Sequence, residues 1–227
     1  MDNLEKFYLT KKNNKYFLLP ICNKDYYERV GLFEQRLINF CVDNIRFSGN
    51  GIFLDVGAHT GTYSIELSKN FRHIYAFEPQ KMTYYALCGS IVMNNIKNVS
   101  CINLGLGSEE QRGKQVLNII SPDGGGSTIH NVSISCLKKE VIEIETLDRF
   151  IEKNQIIDPI RFIKVDIEEN EKYFIEGARK TIQNNRPVIL IEQNQKTDLL
   201  EYIDKEFNYE INISEQQINM YFCIPRS

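Results

Sequence analysis

Residues 51–64 read GIFLDVGAHTGTYS, and this stretch decides the class of fold. A short apolar run leads to Asp55, and Gly57 and Gly61 follow before Thr62 opens a segment with helical spacing. A buried strand, a tight glycine turn and the start of a helix are the elements with which α/β nucleotide-type folds hold a cofactor. The stretch therefore predicts an α/β protein with a ligand site at the end of this strand.

The spacing within this loop favours S-adenosylmethionine (SAM) over a dinucleotide. A dinucleotide fingerprint reads GxGxxG, with its first glycine at the tight turn, whereas this loop places Asp55 at the strand end and its glycines at positions 57 and 61. A carboxylate there suits the cationic amino group of SAM, and the loop amides and the helix N-terminus can meet its carboxylate. Cofactor contacts are expected from Asp55, Gly57, Ala58, His59, Thr60 and Gly61.

The next predicted strand carries a second cofactor element. HIYAFEP ends on Glu78 and Pro79, about 20 residues past the loop, where an acidic residue binds ribose hydroxyls. That element alone fits NAD equally well, but together with the Asp55-first loop it favours SAM. Pro79 and Gly105 complete the expected cofactor contacts, and His59 is expected to form part of the cofactor wall rather than to transfer a proton.

A second cluster of acidic residues follows the apolar segment IRFIKVDI. Lys164, Asp166 and Glu168 alternate, so a strand places them on one side, at the carboxyl edge of the sheet where ligands bind. Glu192, at the end of PVILIEQ, reaches the same edge. Asp166 or Glu168 is expected to take the proton during methyl transfer to an alcohol. Acceptor contacts are expected from Lys164, Ser127 and Glu192.

A divalent metal is the alternative to a plain carboxylate base. Asp166 and Glu192 could hold an ion such as Mg²⁺ that acidifies the substrate hydroxyl. Two candidate oxygen ligands are few for such a site, so a metal-free base is predicted. Glu169 and Glu171, by contrast, are typical of acids at the start of a helix, where each contributes about 0.3–1 kcal/mol.

Composition limits the partners of the chain. It has 227 residues, a net charge of −3 and no run of Lys and Arg, so a nucleic-acid acceptor is not expected. The N-terminus does not read as a signal peptide, and no apolar stretch approaches the roughly 20 residues that span a bilayer. Six dispersed cysteines are typical of reduced thiols in a cytoplasmic protein.

Apolar spacing outlines the order of the elements. Residues 6–20 predict a hairpin and residues 25–45 one amphipathic helix, and residues 48–51 are a break. From there strands and helices alternate, which predicts a mainly parallel sheet covered on both faces. One helix is predicted for each of the segments 62–70, 81–95 and 170–184. One strand is predicted for residues 99–107. The expected organisation is an N-terminal extension at 1–47 and a domain at 48–227, closed by a C-terminal hairpin.

Two further segments, residues 115–120 and 140–144, predict extra strands around the glycine-dense loop SPDGGGSTIH at 121–130. Two interpretations of that loop stay open. It folds over the substrate, with Ser127 or Thr128 touching cofactor or acceptor, or it is a mobile hairpin loop.

These pieces together resemble the FkbM-type SAM-dependent methyltransferases. FLDVGAHTGTYS is similar to the first motif of that family and YAFEP to the second, and IETLDRFI, FIKVDIEENE, IEGARKTI and RPVILIEQ follow in its order. The resemblance covers residues 51–194 and implies the class I methyltransferase (Rossmann-like) fold, with a seven-stranded, mainly parallel sheet. It also implies cofactor binding by Asp55, Gly57, Gly61 and Glu78, with Asp166 and Glu168 beside the reacting centre.

The resemblance implies methyl transfer that is usually O-methylation, often of a sugar hydroxyl or a secondary metabolite. A SAM-dependent O-methyltransferase of a sugar or glycan is the expected function; the alternatives are a non-sugar acceptor and a SAM-binding module without turnover. One departure affects the acceptor: the family has glycine directly after the equivalent of Glu168, where this chain has Glu169. If that glycine gives the acceptor room, the pocket here is altered. Residues before Ser48 carry no family motif and are candidates for capping the acceptor site or for a homo-oligomer contact.

Overall fold

A computed structural model describes residues 5–45, 51–130, 136–194 and 198–226. The strands are β1 (Phe7–Lys12), β2 (Lys15–Pro20), β3 (Ile52–Val56), β4 (His73–Phe77), β5 (Val99–Ile102), β6 (Gly105–Leu106), β7 (Gly113–Ile119), β8 (Lys138–Glu145), β9 (Ile160–Val165), β10 (Val188–Glu192), β11 (Tyr209–Ile213) and β12 (Met220–Pro225). The helices are α1 (Lys24–Arg29), α2 (Gln35–Asn44), α3 (Thr62–Glu66), α4 (Lys81–Met93), α5 (Leu147–Lys153), α6 (Glu171–Gly177), α7 (Arg179–Asn185) and α8 (Leu199–Phe207).

The central sheet has seven strands in the order β11-β12-β10-β9-β3-β4-β5. Pairing is parallel from β10 through β5, and β12 runs antiparallel to both of its neighbours. The predicted seven-stranded, mainly parallel sheet is therefore confirmed. Because the chain steps outward from β3 to β4 and β5 and then returns to β9 on the other side of β3, the strand order reverses between β3 and β9. Ligands of open α/β sheets bind at the carboxyl edge of such a reversal.

Side chains of the central strands alternate between two cores. On β3, Phe53 packs with α2 and α3, whereas Leu54 and Val56 pack with the residues of α5 to α8. Both faces of the sheet are covered by helices, as predicted, and the strand is buried throughout. Full burial of each large apolar side chain contributes about 1.5–3 kcal/mol, so the strand that carries the glycine loop is firmly held in the sheet.

Two smaller sheets flank the central one. β6, β8 and β7 form a three-stranded sheet, and β1 pairs with β2 in the predicted N-terminal hairpin. Asn13 and Asn14 both have positive φ, as a two-residue hairpin turn requires. The hairpin lies on α4, where Ser90 accepts from Leu18 N at 2.9 Å. Within the described residues, no helix is long and apolar enough to cross a bilayer.

The prediction of one helix over residues 25–45 was wrong. α1 ends at Arg29, and α2 begins at Gln35. Gly31 at φ +111° and Glu34 at φ +56° turn the chain between them, and neither angle fits a right-handed helix. The apolar spacing continues across the turn, because Leu32 is buried in the same core as Tyr27 of α1.

The prediction of one helix over residues 170–184 was also wrong. α6 stops at Gly177, where an added Cβ would lie 2.0 Å from the Gly107 carbonyl oxygen, so the two backbones touch. α7 then starts with its own cap: the Asp148 carboxylate accepts from the N–H groups of Lys180 at 2.9 Å and Thr181 at 2.8 Å. These two N–H groups lie at the start of α7, and in one continuous helix they would donate to carbonyls of the preceding turn.

Two shorter elements also differ from their predictions. The strand expected over residues 99–107 divides into β5 and β6, because the Asn103 side chain bonds the carbonyls of Glu78 and Pro79, each at 2.9 Å, and β6 pairs with β8 instead. The helix expected over residues 62–70 ends at Glu66. The division between 47 and 48 and most of the break at 48–51 lie outside the described residues, so the domain boundary stays a prediction.

Candidate active site

A cavity of about 440 Å³ lies at the carboxyl ends of β3, β4, β9 and β10. Its volume is within the range of small-molecule and cofactor sites, and its position is the reversal of strand order. Most of the residues predicted from the sequence line it: Gly57, Ala58, His59, Glu78, Pro79, Gly105, Ser127, Lys164, Asp166, Glu168 and Glu192. Three predicted residues, Asp55, Thr60 and Gly61, lie behind this lining and not in it.

Asp55 holds the start of the first helix of the site. Its Oδ2 accepts from Ser64 N at 3.1 Å and from Ser64 Oγ at 2.6 Å, and the side chain is fully buried. Burial raises the pKa of this carboxyl, which the Lys164 charge partly offsets. Its Oδ1 has no hydrogen-bond partner among the described residues. Asp55 therefore fixes the loop against α3, and its predicted contact with the cofactor stays a prediction.

Gly57 lets the loop pass directly over the end of β9. Its φ is +77°, and an added Cβ would lie 1.9 Å from the Asp166 carbonyl oxygen. The Gly57 carbonyl accepts from Lys164 Nζ at 3.1 Å, and its N–H donates to Phe77 O at 3.1 Å. The loop is thus tied to both neighbouring strands through its backbone, and only glycine fits.

Glu78 is held by two backbone groups. Its Oε2 accepts from His59 N and its Oε1 from Gln80 N, both at 2.9 Å. Burial raises the pKa of this carboxyl to about 7. Each oxygen keeps a further lone pair, and the residue lines the cavity. A fixed pair of acceptor oxygens is the arrangement that ribose hydroxyls require.

His59 joins the glycine loop to the loop at 121–130. Its Nε2 lies 2.8 Å from the Asp123 carbonyl oxygen, so Nε2 carries the proton and donates. Burial lowers the pKa of this histidine, which favours the neutral ring. With its donor engaged by a carbonyl, the ring forms a wall of the cavity.

The loop at 121–130 crosses the cavity and is tied at both sides. Gly126 N donates to Glu168 Oε1 at 2.9 Å, and Thr128 Oγ1 donates to Glu168 O at 3.0 Å. Ser127 Oγ lies 3.1 Å from Gln80 Oε1 and 2.8 Å from the Gly124 carbonyl oxygen. The predicted residue Ser127 therefore lines the cavity from this loop, next to Gln80.

Lys164, which is buried, and Asp166, which is half-buried, form an ion pair. Nζ of Lys164 lies 3.0 Å from Asp166 Oδ2, which confirms that alternation places them on one side. Burial alone lowers the pKa of Lys164, but the charges of Asp166, Asp55 and Glu34 outweigh it and leave this pKa raised. Burial raises the pKa of Asp166, but the Lys164 ammonium outweighs it and leaves that pKa lowered. Asp166 is therefore ionised and a weak base.

Glu168 and Glu192 have the opposite electrostatics. Burial, and after it the negative charge of Asp166, raises the pKa of Glu168. Burial together with the charges of Asp166 and Glu168 raises the pKa of Glu192 to about 8. Carboxyls whose pKa lies closer to neutral accept a proton more effectively than Asp166.

Carboxylate oxygens of Asp166, Glu168 and Glu192 lie within 4.8 Å of one another, so a third oxygen joins the two proposed from the sequence as metal ligands. Lys164 already places an ammonium 3.0 Å from one of them. A cation bound between the three would lie beside that charge, and the repulsion disfavours it.

Comparison with known proteins identifies the family. The family model of the methyltransferase FkbM domain matches residues 55–211. This chain belongs to that family. A comparison with curated protein sequences finds no match.

Solved structures with similar folds include other methyltransferases. Methyltransferase FkbM from Methylobacillus flagellatus KT has a TM-score of 0.58 and 20% identity over 89% of this chain and 50% of its own, so this chain spans half the length of that protein. A tRNA methyltransferase of M. jannaschii has a TM-score of 0.52 and 14% identity, over 98% of this chain and 58% of its own. Precorrin-6y C5,15-methyltransferase from Geobacter metallireducens has a TM-score of 0.51 and 9% identity, over 86% of this chain and 89% of its own. At these identities the likeness shows the class I methyltransferase fold.

Glu169 of this FkbM-domain chain, where the family resemblance implies glycine, lies at a strained position of the backbone. Glu169 has φ +71° and follows Glu168 at φ +53°, both in the left-handed region that favours glycine. Its side chain is exposed and does not line the cavity. The substitution therefore affects backbone strain and not the shape of the pocket wall.

Sequence reasoning missed part of the site. Phe33 and Glu34 line the cavity from the turn before α2, and Gln217 lines it from the loop between β11 and β12. None of them lies in a family motif. The signal for the first two was Gly31, a helix breaker inside an apolar pattern that otherwise continues.

Proposed function

We propose that this protein is a SAM-dependent O-methyltransferase that acts on a hydroxyl of a sugar or glycan. The observation that carries the proposal is a single cavity with two different ends. Glu78 and the glycine loop form a cofactor end, and Asp166, Glu168 and Glu192 form an end that can take up a proton. Membership of a methyltransferase family supports the reaction class.

The cofactor end fits SAM. Glu78 is placed for the ribose hydroxyls of the cofactor. Apolar side chains suited to a purine line the same end: Phe77, Leu104, Leu106, Ile142 and Ile144. Gly57, without a Cβ, lets the loop pack against the end of β9 and lines the cavity there. When bound, SAM supplies an electrophilic methyl group on its sulfonium.

Glu168 is proposed as the general base. Gly126 N–H fixes its Oε1, and Oε2 has no hydrogen-bond partner among the described residues, so it is free to accept the proton of an acceptor hydroxyl. Asp166 is proposed to hold Lys164 in place and to keep negative charge beside the reacting hydroxyl. Lys164, Ser127 and Glu192 are proposed to contact the acceptor and to orient it for in-line attack.

A metal is not required by this proposal. Lys164 supplies the positive charge that Mg²⁺ would otherwise provide to the carboxylates. EDTA should leave turnover unchanged within about twofold. Loss of activity that Mg²⁺ restores would favour the metal version with Asp166 and Glu192 as ligands.

The test is a methyl-transfer screen. Calorimetry should show SAM binding and no NADH binding, and a panel of monosaccharides should yield S-adenosylhomocysteine (SAH) and an O-methyl product whose position is read by NMR. Binding of NADH in place of SAM would contradict the proposal. Methylation of non-sugar alcohols alone would favour a secondary-metabolite acceptor, and SAM binding without turnover on any acceptor would favour a binding module.

A further inference from the structure

The turn between α1 and α2 forms one wall of the cavity, although it lies outside the matched family region of residues 55–211. Leu32 is buried in the core beneath α4. The positive φ of Gly31 and Glu34 turns the chain on either side of it, and the neighbouring residues Phe33 and Glu34 face the cavity. The wall is thus set by a buried anchor with one aromatic and one acidic side chain beside it.

Phe33 presents a fixed aromatic face. Its ring stacks on Tyr26, with centroids 4.4 Å apart, and meets the edge of the Tyr27 ring at 5.1 Å. The side chain is nevertheless 40% exposed. An aromatic ring held by two others and still open to the cavity is preorganised for contact with an apolar surface.

Glu34 presents a fixed acceptor beside that ring. Its Oε2 accepts from the hydroxyl of Tyr63 at 2.8 Å, and Tyr63 is buried on α3. Its Oε1 has no hydrogen-bond partner among the described residues, and none of their cations forms an ion pair with it. A carboxylate oriented on one side and open on the other can take a hydroxyl from a ligand.

Both residues lie at the acceptor end. Tyr63 donates its hydroxyl to Glu34, and the centroid of its ring lies 5.2 Å from Nζ of Lys164, the partner of Asp166. Lys164 belongs to β9, and the cofactor residue Glu78 follows β4, two strands away in the sheet. At about 4.8 Å for each strand, the two ends are roughly 10 Å apart.

We propose that Phe33 and Glu34 form the acceptor-recognition subsite and that it takes a polyhydroxylated ring without anionic groups. The inference rests on the proposed function and narrows its acceptor. A sugar ring combines an apolar C–H face, which the Phe33 ring would cover, with hydroxyls that donate to Glu34.

The carboxyl groups of this end disfavour anionic acceptors. Four of them line it: Glu34, Asp166, Glu168 and Glu192. The one ammonium among the described lining residues, that of Lys164, is already paired with Asp166. Burial raises the pKa of Glu34 and Glu168, and that of Glu192 to about 8, so the negative charge of this end grows as the pH rises. A phosphate or carboxylate on the acceptor would meet these groups without a cation to pair with, and sites reject wrong partners in this way. We therefore expect neutral sugars to bind better than sugar phosphates.

The experiment measures sugar binding to the complex with SAH by saturation-transfer NMR. The probes are the methyl glycosides of glucose, galactose and mannose, and glucose 6-phosphate. At least one neutral glycoside should bind, and the phosphate should bind at least about tenfold more weakly. Phe33→Ala and Glu34→Ala should each weaken binding of the neutral glycoside about tenfold or more, with Phe33→Tyr retaining more affinity than Phe33→Ala.

Val30→Ala is the matched control, because Val30 lies on the same turn, is 64% exposed and does not line the cavity. It should bind the glycoside like the wild type, and all four variants should keep their affinity for SAM in calorimetry. The inference is overturned if the phosphate binds as well as the neutral sugars, if no neutral glycoside binds, or if the two alanine variants at 33 and 34 match the wild type, while SAM binding is normal. If the wild type does not bind SAM, the proposed function fails and the inference falls with it.

Discussion

The two ends of the cavity are built in different ways. At the proposed cofactor end the polar groups come from one contiguous loop and one side chain fixed by backbone: Gly57 packs against the backbone of Asp166, and Glu78 accepts two N–H groups. The proposed acceptor end is lined by side chains from separate parts of the chain, the turn at 33–34, the loop at 121–130, and the ends of β9 and β10.

This difference indicates which part of the site can vary in sequence while the fold is kept. A binding loop formed by backbone groups depends little on which side chains it carries. A single substitution there either leaves ligand binding unchanged or disrupts the loop. An end assembled from dispersed side chains can be changed one residue at a time while the fold stays intact. Substitutions at the cofactor end should therefore cost both stability and SAM binding. Those at the acceptor end should affect mainly turnover or acceptor affinity, apart from the pH dependence of stability expected at Glu192.

Gly57→Ala should have the largest effect. The new Cβ would collide with the Asp166 carbonyl at 1.9 Å, and φ is +77°. We expect a loss of about 3 kcal/mol or more in the free energy of unfolding, together with loss of SAM binding, measured by thermal melts and calorimetry. Gly113→Ala is the control, because Gly113 has φ +98° and open space around it. If both variants lose equal stability, strain at φ explains the effect and the contact with β9 does not.

Glu168→Gln should cut turnover about 10²–10⁴-fold, the usual contribution of a positioned base, and leave SAM affinity within about twofold. Asp166→Asn should lower turnover as well, since it leaves the Lys164 ammonium buried without its partner. Initial rates with tritiated SAM and calorimetry measure the two quantities. Glu169→Gln, one residue further on and outside the cavity lining, is the matched control. Full activity in both the 166 and 168 variants would place the base elsewhere.

The cofactor end was the more predictable from the sequence, because its residues lie close together along the chain. Asp55, the glycines and Glu78 lie within short contiguous segments whose period and spacing reflect a strand, a turn and a helix start. What the spacing could not reveal was side-chain direction: Asp55 points to Ser64, behind the loop. The mainly parallel sheet and the placement of Lys164 and Asp166 on one side followed from alternation alone; the strand order and the ion pair did not.

The acceptor end was less predictable, because its residues meet only in three dimensions. Phe33 lies at a spacing that a continuous helix would also explain, so the turn that brings it to the cavity was hidden. The break at Gly177 depends on contact with the backbone of Gly107, some 70 residues away, and has no local signal.

Both ends contain carboxyls with a raised pKa, which predicts the pH dependence of the free protein. The pKa of Glu78 is about 7 and that of Glu192 about 8, both raised first by burial. Between its unfolded and folded pKa each group binds more protons in the folded state, so the free energy of unfolding falls as pH rises. The slope is at most about 1.4 kcal/mol for each pH unit and group.

Melting temperatures without SAM should therefore fall from pH 6 to pH 8.5. Glu78→Gln should flatten the lower part of this profile and Glu192→Gln the upper part, because each removes one titrating group. A melting temperature that rises with pH across this window would contradict the assignment.

The smallest effect is expected from Glu169→Gly, which introduces the glycine that the family resemblance implies at this position. A left-handed conformation costs an L-residue about 1–2 kcal/mol, and glycine loses about 0.5–1 kcal/mol through greater freedom in the unfolded chain. The difference predicts a gain of up to about 1.5 kcal/mol, seen as a small rise in melting temperature, with unchanged turnover because the side chain is exposed. Glu169→Ile should be destabilising, since a β-branched side chain fits φ +71° poorly. A change in the KM for the acceptor without a change in melting temperature would instead mean that this glycine shapes the acceptor pocket, and position 169 would then belong with the acceptor end.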